Sequence, residues 1–272
     1  MIIDGKAIAD DLLAALASRR KRLGAVTLAA VVVGSTAETK NFLAAKERTA
    51  RAVGIDLRVY EFNPASGRHK LREQISQLVR SRINAVILQL PLPDHLPTQY
   101  LLNAIVPTKD PDCLSTRSVG LFISNTSIVH PPAVEVVAEL CRRHDIVVSG
   151  RRVLVVGYGR LIGKPVCHFL AAAGAIVTVV PEPSNQLSSL LADAELIISG
   201  AGVPNLIQTC RPGATLIDFG CSAPAGQIVG DVDFEAVRDR AGLVTPTPSG
   251  TGPILVAVLM ANVIRLAERQ QQ

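Results

Sequence analysis

The sequence contains no Cys-x-x-Cys pair. Its five cysteines, Cys113, Cys141, Cys167, Cys210 and Cys221, lie far apart. That spacing argues against a structural zinc site and for a reduced cytoplasmic compartment. The five histidines show no metal-ligand spacing either, so no metal is expected. No run approaches the roughly 18 uncharged apolar residues of a membrane span. The chain opens on the acidic "MIIDGK" and not on a basic leader, so neither membrane association nor secretion is expected. Internal repeats and low-complexity tracts are absent as well. Charge of one sign is nowhere concentrated: the net +5 is spread along the chain, and only Arg19–Arg22 forms a short basic run. We read that run as the solvated end of a first helix and not as a nucleic-acid patch.

What the sequence does have, in 272 residues that are 48% hydrophobic, is enough apolar material for a sizeable core. β-Branched apolar runs at 26–34, 56–62, 84–90, 152–157, 175–180, 195–200 and 214–219 leave room for helices such as 68–82 and 163–174 between them. Runs that are apolar throughout suit strands covered on both faces, so the pattern predicts an α/β protein with largely parallel sheets. A loop-like stretch at 107–132 and the restart of the pattern after about 150 predict two domains with a hinge near 130–150. The last segment, 245–270, is a Pro/Gly loop followed by a helix with a broad apolar face that must pack on something.

"VLVVGYGRLIGKP" places Gly157, Gly159 and Gly163 between a strand and a helix. In a dinucleotide-binding turn the first glycine makes the bend, the second admits a pyrophosphate and the third lets helix and strand pack closely. The helix N-terminus then faces the phosphates. The spacing is G-x-G-x-x-x-G, one residue longer than the usual fingerprint, but a second strand at 175–180 completes a βαβ unit. Glu182 follows that strand. It could accept bonds from the adenosine ribose hydroxyls and repel a 2′-phosphate, favouring NAD over NADP, or it could be a turn residue between Pro181 and Pro183.

Other polar residues are ambiguous one at a time. Gln89 ends an apolar run before Pro91, where a parallel strand meets its ligand crevice, yet an isolated buried amide reads first as a structural hydrogen bond. Asp110 and Asp112, in "PTKDPDCL", read alone as turn formers. Phe42 and Lys46 stand one helical turn apart, a ring beside an amine, with Glu47, Arg48 and Arg51 on other angles. That pair could seat a flat heterocycle with a proton-transfer group at its edge, although periodicity alone reads Lys46 as a surface lysine.

Taken in order, "IIDGKAIA", "FLAAKERTARAVGI", "LQLPLP", "PTKDPD", "GRRVLVVGYGRLIGKP", "GDVDF" and "TPTPSGTGP" resemble the methylenetetrahydrofolate dehydrogenase/methenyltetrahydrofolate cyclohydrolase family over almost the entire chain. The resemblance implies a folate-binding catalytic domain at 1–130 plus 250–272 and a Rossmann-type dinucleotide-binding domain at 131–249. In that arrangement the C-terminal helix, 253–269, returns to the first domain. It assigns catalysis to Lys46, Gln89 and Asp112, the last also binding folate. Phe42, Leu90, Pro91, Gly250, Gly252 and Pro253 fall to the substrate, and Gly157, Tyr158, Gly159, Gly163, Glu182 and Cys221 to a nicotinamide cofactor, NAD or NADP. A tetrahydrofolate derivative as substrate and a homodimer through the nucleotide domain are also implied.

The chain departs from the family pattern at several positions. Phe42 replaces the tyrosine of Tyr-x-x-x-Lys, and "PPAV" at 131–134 replaces Pro-Cys-Thr-Pro. Asp112-Cys113 stands for Asp-Gly, and Ser249-Gly250 for a glycine pair. Tyr158 and Gly159 stand for an arginine and a serine, losses that, with Glu182, again favour NAD. The implied activity is oxidation of 5,10-methylenetetrahydrofolate and hydrolysis of the methenyl product to 10-formyltetrahydrofolate. The departures keep two alternatives open: a dehydrogenase-only or altered-substrate enzyme of the same fold, and a non-catalytic folate or nucleotide binder.

Overall fold

The computed structural model describes residues 1–34, 37–223 and 227–272, with the side chains of residues 37, 38 and 42 outside that description. The chain divides into two compact units: Asp10–Pro132 with Val256–Gln272, here the first unit, and Met1–Ala9 with Ala133–Leu255, the second.

The elements of the first half are α1 (Gly5–Arg20), β1 (Thr27–Val33), α2 (Ala37–Val53), β2 (Asp56–Phe62), α3 (Arg68–Arg80), β3 (Ala85–Leu88), α4 (Thr98–Leu102) and α5 (Thr116–Ile123). Strands β2-β1-β3 form a parallel sheet with β1 in the middle. Every residue of β1 and β3 is buried, whereas the edge strand β2 alternates because one of its faces meets water. Leu28, Ala30, Ala85 and Ile87 face one layer, with Ala50 and Val53 of α2. Ala29, Val31, Val33, Val86 and Leu88 face the other, with Leu71, Ile75 and Val79 of α3. Helix α2 stops where Gly54 takes φ 78°, its N–H bonding the Arg51 carbonyl while the Ile55 N–H reaches back to Ala50.

The second half runs α6 (Pro132–Arg143), β4 (Arg152–Val156), α7 (Gly163–Ala172), β5 (Ile176–Val180), α8 (Leu187–Asp193), β6 (Leu196–Ser199), β7 (Thr215–Asp218), α9 (Phe234–Val237), β8 (Leu243–Val244) and α10 (Thr251–Arg269). Its sheet, β5-β4-β6-β7-β8, is parallel throughout. The expected hinge at 130–150 is largely helix α6, and the expected loop at 107–132 holds α5. The sequence grouped residues 1–9 with the folate-binding half; in the structure they cluster with the second unit, because Ile2 bridges Val244 and the Ile3 N–H bonds the Val244 carbonyl.

By length and composition alone helix α10 could cross a membrane, against the expectation from sequence that no run comes close. Its apolar side is instead spent inside the first unit. Leu259, Met260, Val263, Ile264, Leu266 and Ala267 pack with β1, β3 and Leu16 of α1, and Arg19 pairs with Glu268 at 2.6 Å.

Candidate active site

In an open parallel sheet ligands gather at the carboxyl ends of the strands, where successive connections leave on opposite faces. In the first unit that point lies past β1 and β3. The Gln89 N–H extends the ladder by one bond to the Val31 carbonyl, which fixes its side chain at the strand end. Gln89 is only 7% exposed. Its Nε2 donates to the Leu90 carbonyl at 2.8 Å, leaving Oε1 to accept from Lys46 Nζ at 2.8 Å. A lysine that periodicity alone put on the surface is therefore half-buried and held by an amide 43 residues away in sequence.

Asp112 completes the group. Burial lowers the pKa of the Lys46 amine, and the nearby Asp112 charge offsets this only in part. Burial likewise pushes the Asp112 carboxyl up to about 6, with Lys46 pulling it down and Asp110 pushing it further up. The two loop acids have separate tasks. Asp110 is buried and accepts from the Leu114 and Ser115 N–H groups and from Ser118 Oγ at 2.7 Å, so it anchors the start of α5. Asp112 accepts no hydrogen bond from the described residues. Leu90 is half-buried and Pro91 exposed beside Gln89. Phe42 lies on α2, but its side chain falls outside the described residues.

In the second unit the turn after β4 explains two of its three glycines. Gly157 has φ 91°, and a Cβ there would sit 2.6 Å from the Gly200 carbonyl oxygen. A Cβ on Gly163 would stand 2.1 Å from the Gly157 oxygen. Gly159 is exposed with nothing within 4 Å, so packing does not require a glycine there. Ile162 precedes α7 without a side-chain cap; the Lys164 N–H bonds the Gly159 carbonyl, the Val166 N–H bonds the Ile162 carbonyl and Pro165 has no N–H, so in the first turn the Gly163 N–H is the donor left for a phosphate. These features fit a dinucleotide. Tyr158 is exposed, with Lys164 Nζ 5.7 Å from its ring centroid. That cation beside the turn went unremarked in the sequence, where only its place in "GKP" could have signalled it. Glu182 and Cys221 are both exposed, just beyond β5 and β7.

Gly250, Gly252 and Pro253 belong to the second unit, Leu90 and Pro91 to the first. Gly250 has a packing reason of its own, since an added Cβ would meet the Pro246 oxygen at 2.3 Å. Nothing lies near such a Cβ on Gly252. Among the described residues no cluster of histidine, cysteine and acidic side chains could hold a metal ion.

Comparison with known proteins agrees with this geometry. The bifunctional protein FolD of Chloroflexus aurantiacus is 35% identical over 97% of this chain and 95% of its own length. The crystal structure of the bifunctional FolD methylenetetrahydrofolate dehydrogenase/cyclohydrolase from Campylobacter jejuni superposes with a TM-score of 0.94 at 28% identity, covering 99% of both chains. The Trypanosoma brucei methylenetetrahydrofolate dehydrogenase-cyclohydrolase, complexed with NADP and an inhibitor, does so with a TM-score of 0.93 at 29% identity, covering 100% of this chain and 98% of its own. Residues 3–112 match the catalytic domain of tetrahydrofolate dehydrogenase/cyclohydrolase and residues 131–271 match its NAD(P)-binding domain. With both domains matched in order along nearly the whole chain, this protein belongs to the tetrahydrofolate dehydrogenase/cyclohydrolase family.

Proposed function

We propose that the protein is a bifunctional enzyme that oxidises 5,10-methylenetetrahydrofolate to the methenyl form with a nicotinamide cofactor and hydrolyses that product to 10-formyltetrahydrofolate. The observation that carries the reading is the 2.8 Å bond from Lys46 Nζ to Gln89 Oε1, with the Asp112 charge close enough to act on the amine.

A nicotinamide dinucleotide, when bound, supplies the hydride acceptor. Gly157, Gly163 and the uncapped start of α7 would hold its pyrophosphate. Asp112 binds the pterin through ring N–H donors, using oxygens that accept no hydrogen bond from the described residues. For hydrolysis a proton must leave water and later reach the ring nitrogen. Lys46 Nζ, its pKa lowered by burial, is suited to carry that proton near neutral pH. Gln89 Oε1 keeps the amine aimed while it cycles between protonation states. Phe42 retains a ring for the pterin without the family's hydroxyl.

For the cofactor, Glu182 and the absence of a side chain at Gly159 favour NAD over NADP. Substrate contacts from Leu90, Pro91, Gly250, Gly252 and Pro253, and cofactor contacts from Tyr158 and Cys221, belong to the same proposal. Five free cysteines support a reducing cytoplasm. The open edge of β5, with Ile176 60% exposed, supports a homodimer through the second unit.

The test is to mix purified protein with methylenetetrahydrofolate and either NAD or NADP, following reduced nicotinamide and the methenyl chromophore separately. Both signals should appear, the second transient and faster to start with NAD. Reduced cofactor with a persistent methenyl band would mean a dehydrogenase alone. Silence in both channels with folate still bound would mean a binder.

A further inference from the structure

Asp112 works only if its carboxylate is presented at a fixed angle, yet no hydrogen bond from the described residues reaches it. Something else must hold the backbone that carries it. The segment Asp110–Cys113 is a tight turn closed by the Cys113 N–H on the Asp110 carbonyl at 3.3 Å, with Pro111 and Asp112 at its centre. The next residue leaves the turn with φ 56°, a conformation that costs a side chain energy, and the side chain there is a cysteine.

That side chain is 2% exposed, and its Sγ donates to the Val129 carbonyl at 3.2 Å. From the other side, Asn262 on α10, 1% exposed, donates from Nδ2 to the Pro111 carbonyl at 2.9 Å and to the His130 carbonyl at 2.8 Å. Because both neighbours are carbonyls, the amide nitrogen must be the atom that faces them. The buried Asn262 Oδ1 finds no partner among the described residues. A residue kept at that expense must have a use for its donors.

We infer that Cys113 and Asn262 are positioning residues that tie the Asp112 turn to the 129–130 segment and to α10, and so aim the carboxylate at the substrate. This rests on the folate reading above and deepens it. Asn262 spans Pro111 and His130, Cys113 reaches Val129, and the peptide that carries Asp112 is fixed on both of its flanks. A thiol in place of a hydrogen gives this chain a tether that a glycine could not make.

The experiment is a double-mutant cycle read by calorimetric binding of tetrahydrofolate, with coenzyme affinity and a melting curve recorded on each variant. Cys113→Ala should weaken tetrahydrofolate binding about three- to tenfold. Cys113→Ser, which keeps a donor, should restore it to within about twofold, and coenzyme affinity should hold throughout. Asn262→Leu should weaken folate binding at least as much. In the Asp112→Asn background, where the partner of the ligand is already altered, Cys113→Ala should cost little more. An equal loss in both backgrounds, or no loss in either, would overturn the positioning role. If the melting curve of Asn262→Leu is lost, the cysteine cycle decides alone. Failure of the unmutated protein to bind tetrahydrofolate would instead sink the folate reading, and the two failures are thereby separate.

Discussion

Burial pushes two aspartates, Asp112 in the first unit and Asp218 in the second, up to about 6, and their surroundings are opposite. Asp218 is saturated. Its oxygens accept from the N–H groups of Gly220 at 2.7 Å, Asp231 at 3.3 Å and Val232 at 3.2 Å, and from Thr247 Oγ1 at 3.1 Å. The charge nearest to it is another aspartate, Asp231, which itself receives Ser199 Oγ and the N–H groups of Ala201 and Val203. Asp112 has a cation beside it and accepts no such bond from the described residues. A raised pKa reports loss of water; whether donors already fill the oxygens tells a carboxylate that builds the fold from one kept for a ligand.

The largest effect should come from removing the cation that sets Asp112 apart. Lys46→Gln keeps a polar side chain beside Gln89 but cannot take a proton. Hydrolysis of the methenyl compound should fall by about two to four orders of magnitude, while coenzyme binding stays intact and hydride transfer falls far less. Stopped-flow absorbance of the methenyl band against reduced nicotinamide separates the two. Equal loss of both activities would mean that Lys46 holds the substrate and does not carry the proton.

Next in size is a change at the saturated aspartate. Asp218→Ala strands three backbone N–H groups in a site so close-packed that a Cβ on Gly230 would sit 1.9 Å from Asp218 Oδ2. It should cost about 3 kcal/mol or more of stability in a chemical denaturation curve. Asp112→Ala, by contrast, should not lower stability at neutral pH, because it removes a carboxylate whose burial is unfavourable, and should remove folate affinity. If the two exchange phenotypes, the reading of the hydrogen-bond patterns is wrong.

This comparison also shows where the sequence could be read and where it could not. The long strands were legible because β1, β3, β6 and β7 are buried along their whole length and, apart from Asp218 at the end of β7, contain only apolar and small residues. Strand β8 has two residues, too few for any period, and with it went the pairing that draws residues 1–9 to the second unit. Gly157 and Gly163 could be read because their backbone positions exclude a side chain; Gly159, which completes the pattern on paper, has open space around it. Lys46, Gln89 and Asp112 were each ambiguous, since periodicity describes one element and the bond that gives Lys46 its meaning spans two. Family resemblance supplied that link. It could not supply Asp218 or Asn262, whose partners are mostly backbone groups brought close by the fold.

The shared shift also makes a prediction in pH. Both carboxyls bind their proton more tightly folded than unfolded, so each lowers stability as pH rises from about 4 to about 6, and the penalty is complete above that. Only Asp112 should carry this into function. Ring N–H groups need its ionised form, so folate affinity should decline as pH drops below about 6. Asp112→Asn should flatten that limb of the binding profile and weaken binding at neutral pH by about tenfold or more. A limb that persists in the variant belongs to another group.

The smallest effect tests a second pairing across the two units, Cys113 with φ 56° and Ser249 with φ 80°, both standing where the family pattern has glycine. Cys113 gains from its side chain, which is buried and bonded to Val129. Ser249 is exposed, and no hydrogen bond from its hydroxyl to the described residues offsets the strained backbone. Ser249→Gly should therefore raise stability by at most about 1 kcal/mol, part of the relief being cancelled by the greater freedom of glycine in the unfolded chain. Cys113→Gly should gain less or lose outright, because the same relief comes with loss of a buried thiol and its tether. Melting temperatures of the two variants measured side by side rank them, and a larger gain at 113 than at 249 would show that backbone strain outweighs what the cysteine contributes.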